Sequence, residues 1–374
     1  MRILIISCTT GEGHNSCARA IKEVYDLNRE ECTIVDGLEF ISKTLSKFVA
    51  AGHILLYRHF PKIFDLGYRL SENHPSVFAP GSLIYKIFSK GTSKLKDYIL
   101  ENKFDTVICT HPFSAVIVTE IQNRYALPIQ TSFLATEYTC SPSVKESKLN
   151  IYFIPDKKLT DSFKCENITE DKIFSVGIPI RQMFYTNADK SNAKRDMNVS
   201  PENKHIVMMC GSMGCGPLSQ LATRVATKMN KNCELTVICG TNEKLRKSLL
   251  KKSADLNNLH ICGFVQNMSA VLDSADLYLT KPGGISTSEA VAKGVPMLIV
   301  NTVAACETYN LAHFLNYSVA DSGKTVSELT EKCLKMLDDQ EQLNSYVKNI
   351  ENIPKVNTAE SIRNILNNTH PYKE

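Results

Sequence analysis

The chain has 374 residues, a formal net charge of +4, 43% hydrophobic residues and 22% charged residues. This length exceeds what one hydrophobic core usually serves, and the proportions are globular, so two folded domains are expected and a disordered or fibrous chain is excluded. The small net charge excludes a general nucleic-acid binder, and no run of eighteen apolar residues is present to form a membrane-spanning helix.

In chain order, the first apolar run, Ile3 to Ile6, is too short for a signal-peptide core and leads into a glycine turn. It reads as a first β-strand of a cytoplasmic protein. Short β-type runs at Arg2 to Ser7, Thr33 to Asp36, Thr106 to Thr110, Ile129 to Ala135, Ile151 to Pro155 and Ile173 to Val176 alternate with helix-length segments, the order of a parallel sheet. Residues 37–100 interrupt the alternation with ten Phe or Tyr and nine Lys or Arg against four acidic residues. Phe48, Phe60 and Phe64 interleaved with Lys47, Arg58 and Lys62 suit contact with an anionic membrane surface; the other reading is a helical cap with its aromatics in the core. A polar stretch, Thr186 to Lys204, then breaks the apolar rhythm. The expected division is a first domain over 1–180, a linker over 181–204 and a second domain over 205–352. The second domain repeats the pattern with strands at His205 to Cys210, Glu234 to Cys239, Leu259 to Cys262, Ala275 to Thr280 and Val295 to Val300. A last helix within 353–374, near Thr358 to Asn367, is read as crossing back to the first domain. Two doubly wound α/β domains imply ligands at the carboxyl ends of their strands, in a cleft between the domains.

Of thirteen cysteines, Cys8, Cys109, Cys210, Cys239 and Cys262 lie within or beside strand-like runs, where a thiol acts as a small hydrophobe. They read as reduced, and with no CxxC pair or Cys/His ladder no zinc site is expected.

Glycine-rich turns at strand-to-helix junctions carry the chemistry. The first, Thr9-Thr10-Gly11-Glu12-Gly13-His14-Asn15-Ser16, precedes a helix-like segment from Cys17 to Leu27. Its glycines let the backbone approach a ligand, and the amides at a helix start attract an anion; the spacing fits neither the dinucleotide fingerprint nor a P-loop. His14 either accepts a proton from an acceptor hydroxyl or caps the helix. The second turn, Gly211-Ser212-Met213-Gly214-Cys215-Gly216-Pro217, either approaches a diphosphate or serves as a tight structural turn. In the third, Lys281-Pro282-Gly283-Gly284-Ile285-Ser286-Thr287-Ser288-Glu289, the helix start places amides and the Ser286 and Thr287 hydroxyls opposite a diphosphate. Glu289, about one turn along, either accepts hydrogen bonds from ribose hydroxyls or is a solvated helix-face acid. Cys306-Glu307-Thr308 at the next junction can read sugar hydroxyls, and Gly263-Phe264-Val265 with Met268 can supply backbone contacts and an apolar wall for uracil.

These motifs, in this order, resemble glycosyltransferase family 28, in its monogalactosyldiacylglycerol synthase and processive diacylglycerol β-glucosyltransferase branch. Thr110-His111-Pro112 before a helix and Val176-Gly177-Ile178-Pro179-Ile180 add to the resemblance, which runs over nearly the whole chain. It implies a GT-B fold, two Rossmann-like domains facing across a cleft. It also implies inverting transfer of a hexose from UDP-glucose or UDP-galactose to diacylglycerol or a glycosyl-diacylglycerol, with no metal or other cofactor. Within it His14 is the candidate base, with Glu137 beside it, and Gly11, Gly13, Asn15, His111 and Pro112 line the acceptor side. The sequence departs from the family pattern at Glu12, where glycine is common, at Thr136-Glu137 in place of Thr-Asp, and at Ala304-Ala305-Cys306-Glu307 in place of Pro-Gly-Gln-Glu. Three other functions stay compatible with the residues: a UDP-sugar 2-epimerase, a transferase to a polyprenol-linked saccharide, and a non-catalytic UDP-sugar sensor.

Overall fold

A computed structural model describes residues 1–8, 12–79, 81–211, 214, 217–300 and 305–371. The chain divides into two compact units, Met1–Gln182 together with Val356 onward, and Met183 to Lys355 apart from 303–306.

The first unit alternates β1 (Arg2–Ser7), α1 (Glu12–Leu27) and β2 (Glu31–Asp36), and then enters the aromatic insertion. The insertion forms α2 (Lys43–His59), α3 (Pro61–Asn73), α4 (Leu83–Phe88) and α5 (Thr92–Glu101). The alternation resumes with β3 (Thr106–Cys109), α6 (Pro112–Tyr125), β4 (Gln130–Leu134), β5 (Ile151–Ile154), α7 (Thr160–Phe163) and β6 (Ile173–Ser175). All six strands are parallel in the order β2-β1-β3-β4-β5-β6. Strands covered by helices on both faces must be apolar on both, and β1 is buried from Ile3 to Ser7. Leu4, Ile6, Val107, Cys109, Phe133 and Tyr152 share a core with Phe88, Leu95 and Ile99 from the end of the insertion. The two halves of the insertion differ in exposure. Its end is a helical cap packed on the sheet, whereas α2 and α3 leave Phe48, Leu55, Ile63, Leu66 and Leu70 about half exposed or more.

Val176-Gly177 closes this unit against the C-terminal helix (Thr358–Thr369). Thr358 Oγ1 donates to the Val176 carbonyl at 2.8 Å, and a Cβ on Gly177, which has φ +93°, would stand 2.7 Å from that hydroxyl. Arg363 adds a two-pronged contact to Glu30 at 2.9 and 2.6 Å, just beyond α1.

The second unit opens with α8 (Lys190–Asp196), inside the stretch read as a linker. Asp276 explains why this polar segment folds: it accepts Lys190 at 2.6 Å and Lys194 at 2.9 Å. The core follows as β7 (Lys204–Met209), α9 (Leu218–Lys228), β8 (Cys233–Ile238), α10 (Glu243–Lys252), β9 (Leu259–Cys262), α11 (Met268–Ser274), β10 (Leu277–Thr280) and α12 (Gly284–Lys293). It ends with β11 (Met297–Val300), α13 (Ala305–Asn316), β12 (Ala320–Gly323), α14 (Val326–Asp338) and α15 (Gln340–Glu351). The parallel order is β12-β11-β10-β7-β8-β9, so the strand order reverses between β7 and β10. β12, Ala-Asp-Ser-Gly, has no counterpart among the expected strands, because an edge strand with one apolar face position carries no alternation to detect.

Candidate functional site

In the first unit the sheet order reverses between β1 and β3, and the segments that leave these strands bring two histidines together. His14 stands in the first turn of α1, which begins at Glu12, earlier than the Cys17 start read from the sequence; His14, Gly13 and Asn15 are therefore helical residues. Asn15 accepts the Ser7 hydroxyl at 2.6 Å, which ties this turn to the end of β1. His14 Nδ1 lies 2.7 Å from the Thr110 carbonyl oxygen and 3.0 Å from Thr136 Oγ1, so the ends of β3 and β4 both hold the ring. A carbonyl oxygen only accepts, which puts the ring hydrogen on Nδ1 and the lone pair of the neutral ring on Nε2.

His111 is the N-cap of α6, its Nδ1 accepting the Phe113 amide at 3.1 Å, and Pro112 follows at the first helical position. The two imidazoles therefore adopt opposite tautomers, with ring centroids 4.5 Å apart in an edge-on arrangement. His111 is buried and spends its Nδ1 lone pair on the cap. Of the pair, His14 is the ring whose remaining nitrogen has the form of a base. Phe113, whose ring lies 4.6 Å from His111, stacks on Phe88 at 4.4 Å and meets Phe78 at 6.3 Å. The aromatic insertion thus borders the histidine pair. Glu137 follows Thr136 directly and is half-buried. Gly11, read as part of this loop, lies outside the described residues.

In the second unit glycine turns follow β7 and β10, on either side of the point where strand order reverses. Gly211 has φ +71° and Gly214 φ +55°, and the Gly214 amide donates to the Gly211 carbonyl at 3.1 Å. A Cβ on Gly214 would stand 2.7 Å from the Cys239 carbonyl oxygen, so both conformation and space demand glycine. Ser212 and Met213, between them, lie outside the described residues. After β10, the Gly283 amide donates to the Lys281 carbonyl at 2.8 Å and the chain enters α12, with Gly283 as an N-cap that brings no side-chain hydrogen bond. Asn310 on α13, fully buried, fixes this turn by donating to the Pro282 carbonyl at 2.8 Å. Lys281 reaches between the two turns: its Cε lies 3.0 Å from where a Gly211 Cβ would be, and its Nζ is 3.1 Å from Glu307 Oε1.

Two assignments made from the sequence change here. Thr287 does not offer its hydroxyl to a diphosphate: it is fully buried and donates back to the Gly283 carbonyl at 2.8 Å, because a threonine one turn into a helix reaches the preceding turn's oxygen. Glu307 does not simply present its carboxylate to sugar hydroxyls: it is 4% exposed and one oxygen is committed to Lys281. Ser286 and Glu289 are half-buried on α12, and Tyr278 lies beneath both, its phenol pushed up by burial. Gly284 is buried, Cys306 half-buried and Thr308 exposed in the opening turn of α13. Gly263 and Val265 are half-buried, Phe264 is 65% exposed and Met268 is buried in α11, so Phe264 is the exposed apolar side chain of this loop. Lys281, Asn310, Thr110 and Thr136 complete the two clusters. Lys281 opens the third glycine motif, and Asn310 stands two residues beyond Cys306-Glu307-Thr308; the roles of Thr110 and Thr136 come from pairing across β1, β3 and β4.

Burial holds two thiols at these turns in the protonated form. Burial raises Cys8 well above its ordinary range and Cys239 to about 11, and the described cysteines are all free. Among the described residues no group of three His, Cys, Asp or Glu side chains is placed to share a metal ion.

Two consecutive units, each a six-stranded parallel sheet covered by helices, with glycine turns flanking the second unit's switch point, define the GT-B class of glycosyltransferase fold. A crystal structure of MurG from Acinetobacter baumannii matches with a TM-score of 0.68 at 12% identity, covering 98% of this chain and 99% of that one. The UDP-GlcNAc 2-epimerase of Neisseria meningitidis, solved with UDP-GlcNAc, matches at 0.61 and 13% identity over 99% and 100%. At these identities both show the fold alone. Residues 14–180 match the family model of monogalactosyldiacylglycerol (MGDG) synthase, and residues 205–364 match the C-terminal domain of glycosyltransferase family 28. The processive diacylglycerol beta-glucosyltransferase of Staphylococcus saprophyticus is 24% identical over 381 residues, all of this chain and 95% of that protein. The chain belongs to glycosyltransferase family 28, in the branch of the diacylglycerol glycosyltransferases, and is an enzyme of the UDP-sugar-dependent hexosyltransferase type.

Proposed function

We propose that this enzyme moves a hexose, from UDP-glucose or UDP-galactose, to diacylglycerol or a glycosyl-diacylglycerol at the cytoplasmic face of the membrane, with inversion and without a metal. The observation that carries the reading is His14, held with its hydrogen on Nδ1 by Thr110 and bordered by an aromatic insertion. In this reaction the acceptor hydroxyl gives its proton to His14 Nε2 as its oxygen bonds to the anomeric carbon. The bond from that carbon to the diphosphate breaks, and UDP departs with the electron pair. Three features of the second unit suit the departing charge: the opening amides of α12, the positive end of its dipole, and the Lys281 ammonium. Glu137 is the second candidate for the base. The named activity of the Staphylococcus relative supports the lipid acceptor.

The membrane contact rests on α2 and α3. Phe48 and Leu55 are spaced as one helical face, as are Ile63, Leu66 and Leu70, all 50% exposed or more, with Lys43, Lys47 and Lys62 exposed around them. No helix among the described residues is long and apolar enough to cross a membrane.

The test offers UDP-glucose, UDP-galactose and UDP-N-acetylglucosamine in turn to the enzyme with diacylglycerol liposomes, and identifies lipid products by mass spectrometry. A hexosyl-diacylglycerol is expected. Conversion of the UDP-sugar without any lipid would mark a 2-epimerase instead, and no binding of UDP by calorimetry would overturn the reading entirely. His14→Ala is expected to lower transfer by about 100-fold or more with UDP affinity kept.

A further inference from the structure

We propose that Arg246 selects the base of the donor nucleotide, its terminal N–H groups donating to uracil O4, the atom at which a uridine nucleotide differs from a cytidine one. The inference rests on the UDP-sugar reading above and deepens it by naming the side chain that tells one pyrimidine from the other.

The position follows from α10. Its N-cap, Asn242, accepts the Leu245 amide at 3.0 Å and donates through Nδ2 to the Gly214 carbonyl at 3.2 Å, so the helix start is bonded to the turn proposed to meet the diphosphate. Arg246 stands four residues further on the same helix face, about 6 Å along the axis. Its stem lies on the loop after β9: a Cβ on Gly263 would stand 3.6 Å from Arg246 Cδ and 3.7 Å from Nε. One face of α10 therefore joins the Gly214 turn to the Gly263-Phe264-Val265 loop, over the length a ribose fills between its base and its phosphate. Phe264, 65% exposed, supplies a ring on which a flat pyrimidine can lie.

The charges here favour a base over a phosphate. Nε is buried and makes no hydrogen bond among the described residues, and Nη1 reaches Glu243 Oε2 only at 3.4 Å, a long contact that leaves most of the guanidinium's donors unspent. The side chain is 40% exposed, which puts those donors within reach of a ligand. Glu243 Oε1, 3.8 Å from the Gly263 Cβ position, borders the same spot. A phosphate there would face a like charge, whereas a neutral uracil does not. The guanidinium also acts on the thiols at the ends of β8 and β9: burial raises Cys239 and Cys262 and Arg246 opposes both shifts, which agrees with a charge at the carboxyl edge of the sheet. Uracil O4 accepts hydrogen bonds, and the amino group at the same position of cytosine donates them. An arginine only donates, so it pairs with the first and sets donor against donor with the second.

Calorimetry with UDP and with CDP tests this in the parent and two variants. Arg246→Met keeps a stem on Gly263 and removes the donors; Arg246→Gln carries an amide that can turn its N–H to uracil or its oxygen to cytosine. The parent is expected to prefer UDP by about 10-fold or more. Arg246→Met should bind UDP about 10- to 30-fold more weakly, the lower part of the range for a charged hydrogen bond because solvent screens the arginine, and CDP within about threefold of the parent. Arg246→Gln should bind the two nucleotides within about threefold of each other. Parental UDP affinity in Arg246→Met overturns the proposal, and so does an equal loss for UDP and CDP, which would place the arginine on the phosphates or in the frame. Should Arg246→Met fail to fold, Arg246→Gln decides, and a UDP preference as large as the parent's overturns the proposal. A parent that does not bind UDP overturns the donor reading itself, whereas a parent that binds UDP beside unaltered variants sinks this inference alone.

Discussion

Gly214→Ala probes the turn proposed to meet the diphosphate, with a control built into the same unit. Gly214 has φ +55° and Gly294, after α12, has φ +73°, so an alanine at either position takes a left-handed conformation that costs about 1–2 kcal/mol, offset by about 0.4–1 kcal/mol from a stiffer unfolded chain. The two sites differ in space alone. A Cβ at 294 meets nothing within 4 Å, whereas at 214 it stands 2.7 Å from the Cys239 carbonyl oxygen, a backbone atom that cannot rotate away. Moving that carbonyl disturbs the end of β8 and adds about 1–3 kcal/mol, the usual range for overpacking. Gly294→Ala is therefore expected to lose about 1 kcal/mol and Gly214→Ala about 2–4 kcal/mol in urea unfolding followed by circular dichroism. Calorimetry with UDP adds the functional half: Gly214→Ala should bind about tenfold more weakly, the loss of roughly one good hydrogen bond as the turn shifts, and Gly294→Ala as the parent. Equal destabilisation by the two variants would refute the steric argument, and parental UDP affinity in Gly214→Ala would refute the placement of this turn at the nucleotide.

Two further outcomes concern the frame of the second unit. Lys293 on α12 has a fully buried side chain that pairs with Asp273 on α11 at 2.8 Å and also donates to the Thr186 carbonyl. Lys293→Met strands the Asp273 carboxylate, itself 5% exposed, and should cost about 3–5 kcal/mol in thermal unfolding, whereas the double change with Asp273→Leu should recover part of it. His205 is buried with Nδ1 2.9 Å from Ser274 Oγ and Nε2 2.8 Å from Thr236 Oγ1, and burial lowers its pKa to about 4. Below its ordinary value near 6.5 the unfolded chain binds a proton that the folded chain refuses, so stability falls as pH drops from 6.5 towards 4 and is flat above. The loss is of order 3 kcal/mol and should be largely absent from a His205→Gln variant compared at the same pH values.

Much of this architecture is legible in the order of residues. Apolar runs such as Ile3 to Ile6 and Leu277 to Thr280 are strands because their lengths and flanking glycines leave little else, and the glycine turns after β7 and β10 mark strand-to-helix junctions of a doubly wound sheet. Lys190 to Asp196 looked like linker because its helix is polar on nearly every side; it folds because Asp276, eighty residues further on, receives its lysines. Thr287 looked like a ligand-facing hydroxyl, and the helix it belongs to turns that hydroxyl inward.

The sequence by itself determined most of the strands and helices, α8 and β12 apart, and the family they compose, since those depend on periodicities and motifs carried within a few residues. Tertiary structure alone decided that His14 meets Thr110 and Thr136, that Lys281 is tied to Glu307, and that Thr358 requires a glycine at 177. Such pairs are set by strand order and register, which bring together atoms separated by up to 182 residues along the chain, and no local pattern encodes a partner at that distance.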